Sequence, residues 1–171
     1  MTQRARLGPH TVNRIGFGAM QLPGPGVFGP PRDRESALAV LRRAIELGVD
    51  HIDTAQYYGP DVVNDLIREA LFPYPEGLRL VSKVGAGRDG RGGVLSAQHP
   101  RELRAGVQDN LRTLQVEALA LVNLRLMGAD ISMAEQLGEL KSLQDEGKIE
   151  SIGLSNATVD EIAAALEDVH A

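Results

Sequence analysis

Five times along this chain a short run of β-branched or leucine residues gives way, across a polar junction, to an amphipathic helix. The first unit reads as a strand over 14–20 (RIGFGAM), a Pro/Gly loop over 22–33 and a helix over 34–48. In that helix Ala37, Leu38, Leu41, Ala44, Ile45 and Gly48 keep helical spacing, with Gly48 as the stop. A strand over 49–53 (VDHID) and a helix over 61–71 follow, closed by Pro73 and Pro75. The third unit joins a strand over 78–84 to a helix over 100–114 through a Gly-rich loop. The fourth and fifth pair strands over 118–126 and 148–155 with helices over 132–147 and 158–169. Strict alternation of this kind predicts an α/β fold with a parallel sheet and right-handed crossovers. Five units without a change of pattern favour a (β/α) barrel over a doubly wound sheet. A complete eight-unit barrel takes about 250 residues, whereas this chain has 171. It therefore reads as a single partial-barrel domain over 1–171, with about five of eight units. An open parallel sheet of that size has two edges and inner apolar positions that need cover.

Composition narrows the partners. The net charge of -5 disfavours a nucleic-acid backbone or an anionic membrane surface. No apolar run approaches the ~18 residues of a membrane span, and the first ten residues lack the apolar stretch of a secretory signal. Zero cysteines exclude disulfides and thiolate metal ligands and suit a reducing cytoplasm.

Barrels of this type work at the C-terminal ends of their strands. The residues at those positions are Asp53, Tyr57 and Tyr58, Lys83, Arg125, and Ser155 with Asn156. Strand alternation places His51 with Asp53 on one face, and Val81 with Lys83 likewise. An Asp, a Lys and an Arg thus converge on one rim, at a desolvation cost that function explains better than stability does. One reading is proton transfer from the Tyr58 phenol, with Lys83 favouring the phenolate and Asp53 fixing Lys83. The other is a structural Asp53–Lys83 ion pair beside a loop tyrosine. Spacing alone leaves both open.

The strings around these residues carry a resemblance. HIDTAQYYG (51–59), LVSKVG (80–85), IGLSN (152–156) and GFGAMQL (16–22) resemble, in order and spacing, motifs of the aldo/keto reductase family. The resemblance covers nearly the whole chain. It implies a TIM barrel preceded by a hairpin, which residues 4–15 would supply, and reduction of a small aldehyde or ketone with NADPH (NADH being the alternative). It implies Tyr58 as general acid, Lys83 as the group that lowers its pKa, and Asp53 as the partner of Lys83. Ser155 and Asn156 would bond the nicotinamide carboxamide, and backbone near Gly18, Ala19 and Met20 would face the ring.

Two departures stand out. The family usually has a His at the end of the fourth strand; here Arg125 occupies that place, with Asn123 two residues before it on the same face. Arg is a permanent cation and a donor only, suited to a carbonyl oxygen or to a substrate carboxylate. The later family strands and loops, which stack on the nicotinamide and grip the phosphates, have no counterpart in this sequence. The isolated chain should therefore bind NADPH poorly or not at all. The competing function is a non-catalytic half-barrel that self-associates, or binds a missing C-terminal half or another partner, through its sheet edges. A different barrel enzyme, such as an isomerase, would need a phosphate site that the sequence does not show.

Weaker signals carry less. GAGRDG (85–90) matches G-x-G-x-x-G but does not open a helix, so a mobile loop over the site is the better reading. His51 reads as a core histidine; His10, His99 and His170 are too dispersed for a zinc site, and no metal is expected. Glu135, Glu139 and Lys141 read as a solvated helix face.

Overall fold

The computed structural model describes residues 4–128 and 130–170. The chain opens on the expected hairpin, β1 (Arg4–Leu7) antiparallel to β2 (His10–Asn13). There follow β3 (Phe17–Gly18), α1 (Arg34–Glu46), β4 (His51–Asp53), α2 (Val62–Leu71), β5 (Arg79–Arg88) and β6 (Val94–Ala97). The order ends with α3 (Pro100–Leu114), β7 (Leu121–Arg125), α4 (Met133–Asp145), β8 (Ile152–Ser155) and α5 (Val159–His170). Strands β3, β4, β5, β7 and β8 lie side by side in that sequence, all parallel. Spatial order that follows chain order without reversal is the wall of a barrel; a doubly wound sheet would reverse at a switch point.

Local chemistry sets the helix ends. Asp33 accepts hydrogen bonds from the Ser36 backbone N–H and hydroxyl at the start of α1, and Gly48 leaves it at φ 91°. Pro100 takes the first position of α3, where a missing N–H costs nothing, and Glu102 accepts from the His99 N–H. Ser132 and Glu135 form a reciprocal capping box at α4.

The pleat divides the wall into two faces. Ile52, Leu80, Ser82, Val84, Val122 and Leu124 are buried; the apolar ones pack in one core with Leu41, Leu66, Leu103, Val107 and Leu140 of the helices. Each such side chain contributes roughly 1.5–3 kcal/mol by leaving water. His51, Asp53, Lys83, Leu121, Asn123 and Arg125 alternate with them and are only partly buried. A cavity on this side is lined by Gly18, His51, Asp53, Val81, Leu121 and Asn123.

A polar cluster lies within the helix-facing core. Thr54 donates to Asn64 at 2.8 Å, Asn64 donates to Asn110 at 2.9 Å and to Thr113 at 3.0 Å, and the Ser82 hydroxyl donates to Asn110 at 2.6 Å. The Asn110 amide in turn donates to Gln56 at 3.1 Å and to the Gly106 carbonyl at 2.8 Å. The cluster ties β5 and the end of β4 to α2 and α3.

Several boundaries differ from the sequence expectation. The strand expected over 14–20 is only Phe17–Gly18, because Ala19–Gln21 wind into a 3-10 turn that buries Ala19. The loop expected over 85–99 is a hairpin: β5 runs on to Arg88 and pairs antiparallel with β6. Its turn is built by Asp89, whose carboxylate accepts from Arg91 N at 2.8 Å and Gly93 N at 2.7 Å, so the G-x-G-x-x-G string is turn chemistry. The face of α4 is less solvated than expected, since Glu139 and Glu146 both pair with Arg104 of α3. The side chain of His170 lies outside the described residues. Among those described, no group of three His, Cys, Asp or Glu is placed to hold a metal, and no helix is long and apolar enough to cross a membrane.

Candidate active site

The parallel register brings the rim residues together. Gly18 pairs with Asp53, Asp53 with Val81, Lys83 with Asn123, and Arg125 with Ser155. Lys83 Nζ donates to the Asp53 carboxylate and, at 3.3 Å, to the Thr54 carbonyl. The same ammonium lies 5.4 Å from the centre of the Tyr58 ring. Tyr57 and Tyr58 stand edge to face, with ring centres 5.2 Å apart, and both are almost wholly buried. Asp53, Tyr58, Lys83 and Arg125 thus converge as the sequence suggested.

Electrostatics at the phenol run against expectation. Burial pushes the Tyr58 pKa up to about 12; the Asp53 carboxylate adds to the rise, and Arg125 and Arg88 oppose it. Lys83 is paired with Asp53, whose carboxylate is the charge that raises the Tyr58 pKa. The Tyr57 phenol is also raised, by burial and by Tyr58, against the pull of Lys83 and Arg125. Tyr74, which donates to the Leu114 carbonyl at 2.7 Å, is pushed up to about 12 by burial. All three tyrosines of the chain therefore keep their protons above the ordinary value of 10.0. A phenol whose folded pKa exceeds its unfolded one stabilises the fold below pH 10, and that contribution is lost as pH climbs to about 12. Ultraviolet titration should show less tyrosinate near pH 10 than free tyrosine gives while the chain stays folded; a full tyrosinate step there would contradict this packing.

The other rim positions are less tightly held. Ser155 ends β8, and Asn156 is exposed with φ 63°, the left-handed conformation that Asn tolerates. Among the described residues, neither side chain has a hydrogen-bond partner. A Cβ at Gly18 would meet nothing within 4 Å, so the space beside Asp53 is open. Ala19 is fully buried, and Met20 is exposed. His51 Nδ1 donates to the Asp50 carboxylate at 3.0 Å, a structural contact.

One rim residue was missed in the sequence. Arg88 acts on Tyr58 although strict alternation from Lys83 would send it to the opposite face. Gly85 interrupts that alternation at φ 99°, where a Cβ would lie 2.6 Å from the Arg125 carbonyl oxygen. Glycine there lets β5 pass close to β7 and continue into the hairpin that carries Arg88.

The chain is similar to known proteins in both sequence and fold. The family model described as "Aldo/keto reductase family" matches residues 14–170. The chain is 50% identical over 165 residues to pyridoxine 4-dehydrogenase of Escherichia coli (strain K12), a match covering 93% of this chain and 58% of that protein. It is 39% identical over 160 residues to an uncharacterized oxidoreductase of Schizosaccharomyces pombe, covering 94% and 52%. The chain spans about half the length of the curated relatives it matches. Its fold superposes on an aldo-keto reductase of Bacillus halodurans in holo form with a TM-score of 0.84 at 26% identity, covering 98% of this chain and 55% of that one. An aldo/keto reductase of Klebsiella pneumoniae in complex with NADP and acetate gives 0.77 at 26% identity, covering 96% and 53%. The family match begins at Arg14, just past the hairpin, and runs through all five βα units: the chain belongs to the aldo/keto reductase family.

Proposed function

We propose that this chain supplies the front half of a carbonyl-reducing site, in which Tyr58 protonates the carbonyl oxygen as a hydride reaches the carbon. The observation that carries this is Lys83 Nζ, held between the Asp53 carboxylate and the Tyr58 ring. A phenol with a pKa of about 12 is fully protonated at neutral pH. It is still acidic enough to protonate an alkoxide, which is a much stronger base. Arg125, in the place of the family's usual His, points donors at the developing negative charge. Asp53 keeps the Lys83 ammonium beside the ring.

The residues present fit one end of a nicotinamide cofactor. The free side chains of Ser155 and Asn156 can bond a carboxamide, and the open space at Gly18 admits a ring beside Asp53. NADPH, when bound, supplies the hydride; NADH is the alternative. Residues 1–171 form, on this reading, one partial-barrel domain of a cytoplasmic protein acting on a small carbonyl compound. Strong phosphate contacts are charge-assisted ones, and in the family they come from segments beyond this sequence. Titration of the chain alone with NADPH should therefore show no saturation at micromolar concentrations; tight binding would place the phosphate grip within these 171 residues.

The test is alcohol formation from an aromatic aldehyde and NADPH. The protein assayed is a fusion of this chain to the remaining C-terminal portion of the Escherichia coli relative. Turnover by the fusion, and far less by the chain alone, supports the reading. A folded fusion that forms no alcohol overturns it.

A second reading has its own observation. On α5, Val159, Ile162 and Leu166 are 81%, 44% and 56% exposed, a stripe at helical spacing on the helix that follows β8, the last strand of the described sheet. A half-barrel that self-associates would cover it. Sedimentation of the chain as a discrete dimer, unaffected by NADPH, would favour that reading; a monomer would oppose it.

A further inference from the structure

Three buried side-chain atoms have no hydrogen-bond partner among the described residues: Tyr57 Oη, Arg88 Nε and Arg125 Nε. All three belong to residues gathered around Tyr58. The Tyr57 ring stands edge-on to it. Arg125 lies against Gly85 on the neighbouring strand, and the turn after Arg88 packs Gly92 on Phe28, which bridges to Gly59 beside Tyr58; both guanidiniums act on the Tyr58 phenol. Arg125 also acts on the Tyr57 hydroxyl. Leaving a buried donor unmet costs about 1–3 kcal/mol, and more when it is charged. Three such atoms around one proton donor are therefore a marked feature.

Charge points the same way. Lys83 is neutralised by Asp53, whereas neither Arg88 nor Arg125 has a carboxylate partner among the described residues. Arg88 does have a structural task, since its Nη1 donates to the Gly92 carbonyl at 2.7 Å across the hairpin turn. That contact uses one of the five N–H donors of a guanidinium and gives no reason to bury Nε without a partner. A neutral carbonyl can engage Arg125 but leaves Arg88 unmet.

We propose that Arg88, Arg125 and Tyr57 form a subsite for an anionic oxygen carried by the substrate, so that the preferred substrates are carbonyl compounds with a carboxylate close to the reacting carbon. The proposal rests on the carbonyl-reducing reading above. A carboxylate offers two oxygens to the planar donors of the two arginines and takes the Tyr57 hydroxyl proton as a third hydrogen bond. Arg88 is then a specificity-determining residue, presented to the site by the hairpin that follows Gly85.

Phenylglyoxylate and its neutral methyl ester, a matched pair of ketones, test this on the chain as it stands. Arginine Nε–H resonances, assigned through Arg88→Lys and Arg125→Lys, report binding without cofactor. The acid should shift both resonances and bind at least tenfold more tightly than the ester. Arg88→Met, checked for folding by circular dichroism, should abolish that preference; Arg91→Met, an exposed arginine of the same turn, should keep it. Equal binding of acid and ester by the wild type overturns the proposal, whatever the variants do. So does a preference that survives Arg88→Met or is lost equally in Arg91→Met. Failure of the reductase reading looks different: the fusion would reduce neither ketone while the binding preference persisted.

Discussion

Replacing Lys83 with methionine should lower carbonyl reduction by the completed protein about 10²–10⁴-fold, the usual worth of a positioned acid–base group. The ammonium makes its contacts with Asp53 and the Thr54 carbonyl, 5.4 Å from the centre of the Tyr58 ring. Without it the Asp53 carboxylate faces the phenol unopposed. Because Asp53 already helps push the Tyr58 pKa up to about 12, the acid becomes weaker still. Stability should fall much less than activity, since the Asp53 side chain is 39% exposed and water can take over the lost partner. Steady-state rates beside urea denaturation separate the two effects. A variant that loses stability and activity in proportion would make the pair structural, the bland alternative that the spacing left open.

The largest loss of stability is expected elsewhere, at Asn110. Substitution by leucine should cost about 2–5 kcal/mol, measured as a lower urea midpoint with an unchanged slope. The reason lies in what it leaves behind. Ser82 and Asn64 both donate to Asn110 Oδ1, and both are fully buried. Removing the shared acceptor strands the Ser82 hydroxyl and one Asn64 donor in a dry core. Thr113→Val should cost less, because Asn64 keeps its bond to Asn110. A loss below about 1 kcal/mol for Asn110→Leu would mean that the neighbours find other partners.

How much of this could be read beforehand follows from the range of each interaction. The helices of the five units were legible because apolar spacing and stop signals are local: Gly48 leaves α1 with a positive φ, and Pro73 follows the end of α2. The convergence of Asp53, Lys83 and Arg125 was legible because parallel register carries strand ends to one rim. Arg88 was not, because one glycine with a positive φ undoes the alternation from which its face would be inferred. The Asn64–Asn110 bond joins residues 46 positions apart and leaves no local trace. The direction of the Tyr58 shift was also out of reach, since it depends on how deeply the ring is buried and on which charge Lys83 already serves.

Tyr58→Phe in the fusion protein isolates the proposed delivery of the proton by the Tyr58 hydroxyl. The substitution removes one oxygen and keeps the ring that packs on Tyr57. Alcohol formation should drop about 10²–10⁴-fold with cofactor affinity and urea midpoint little changed. A folded Tyr58→Phe protein that reduces the same carbonyl at the wild-type rate would rule out Tyr58 as the proton donor.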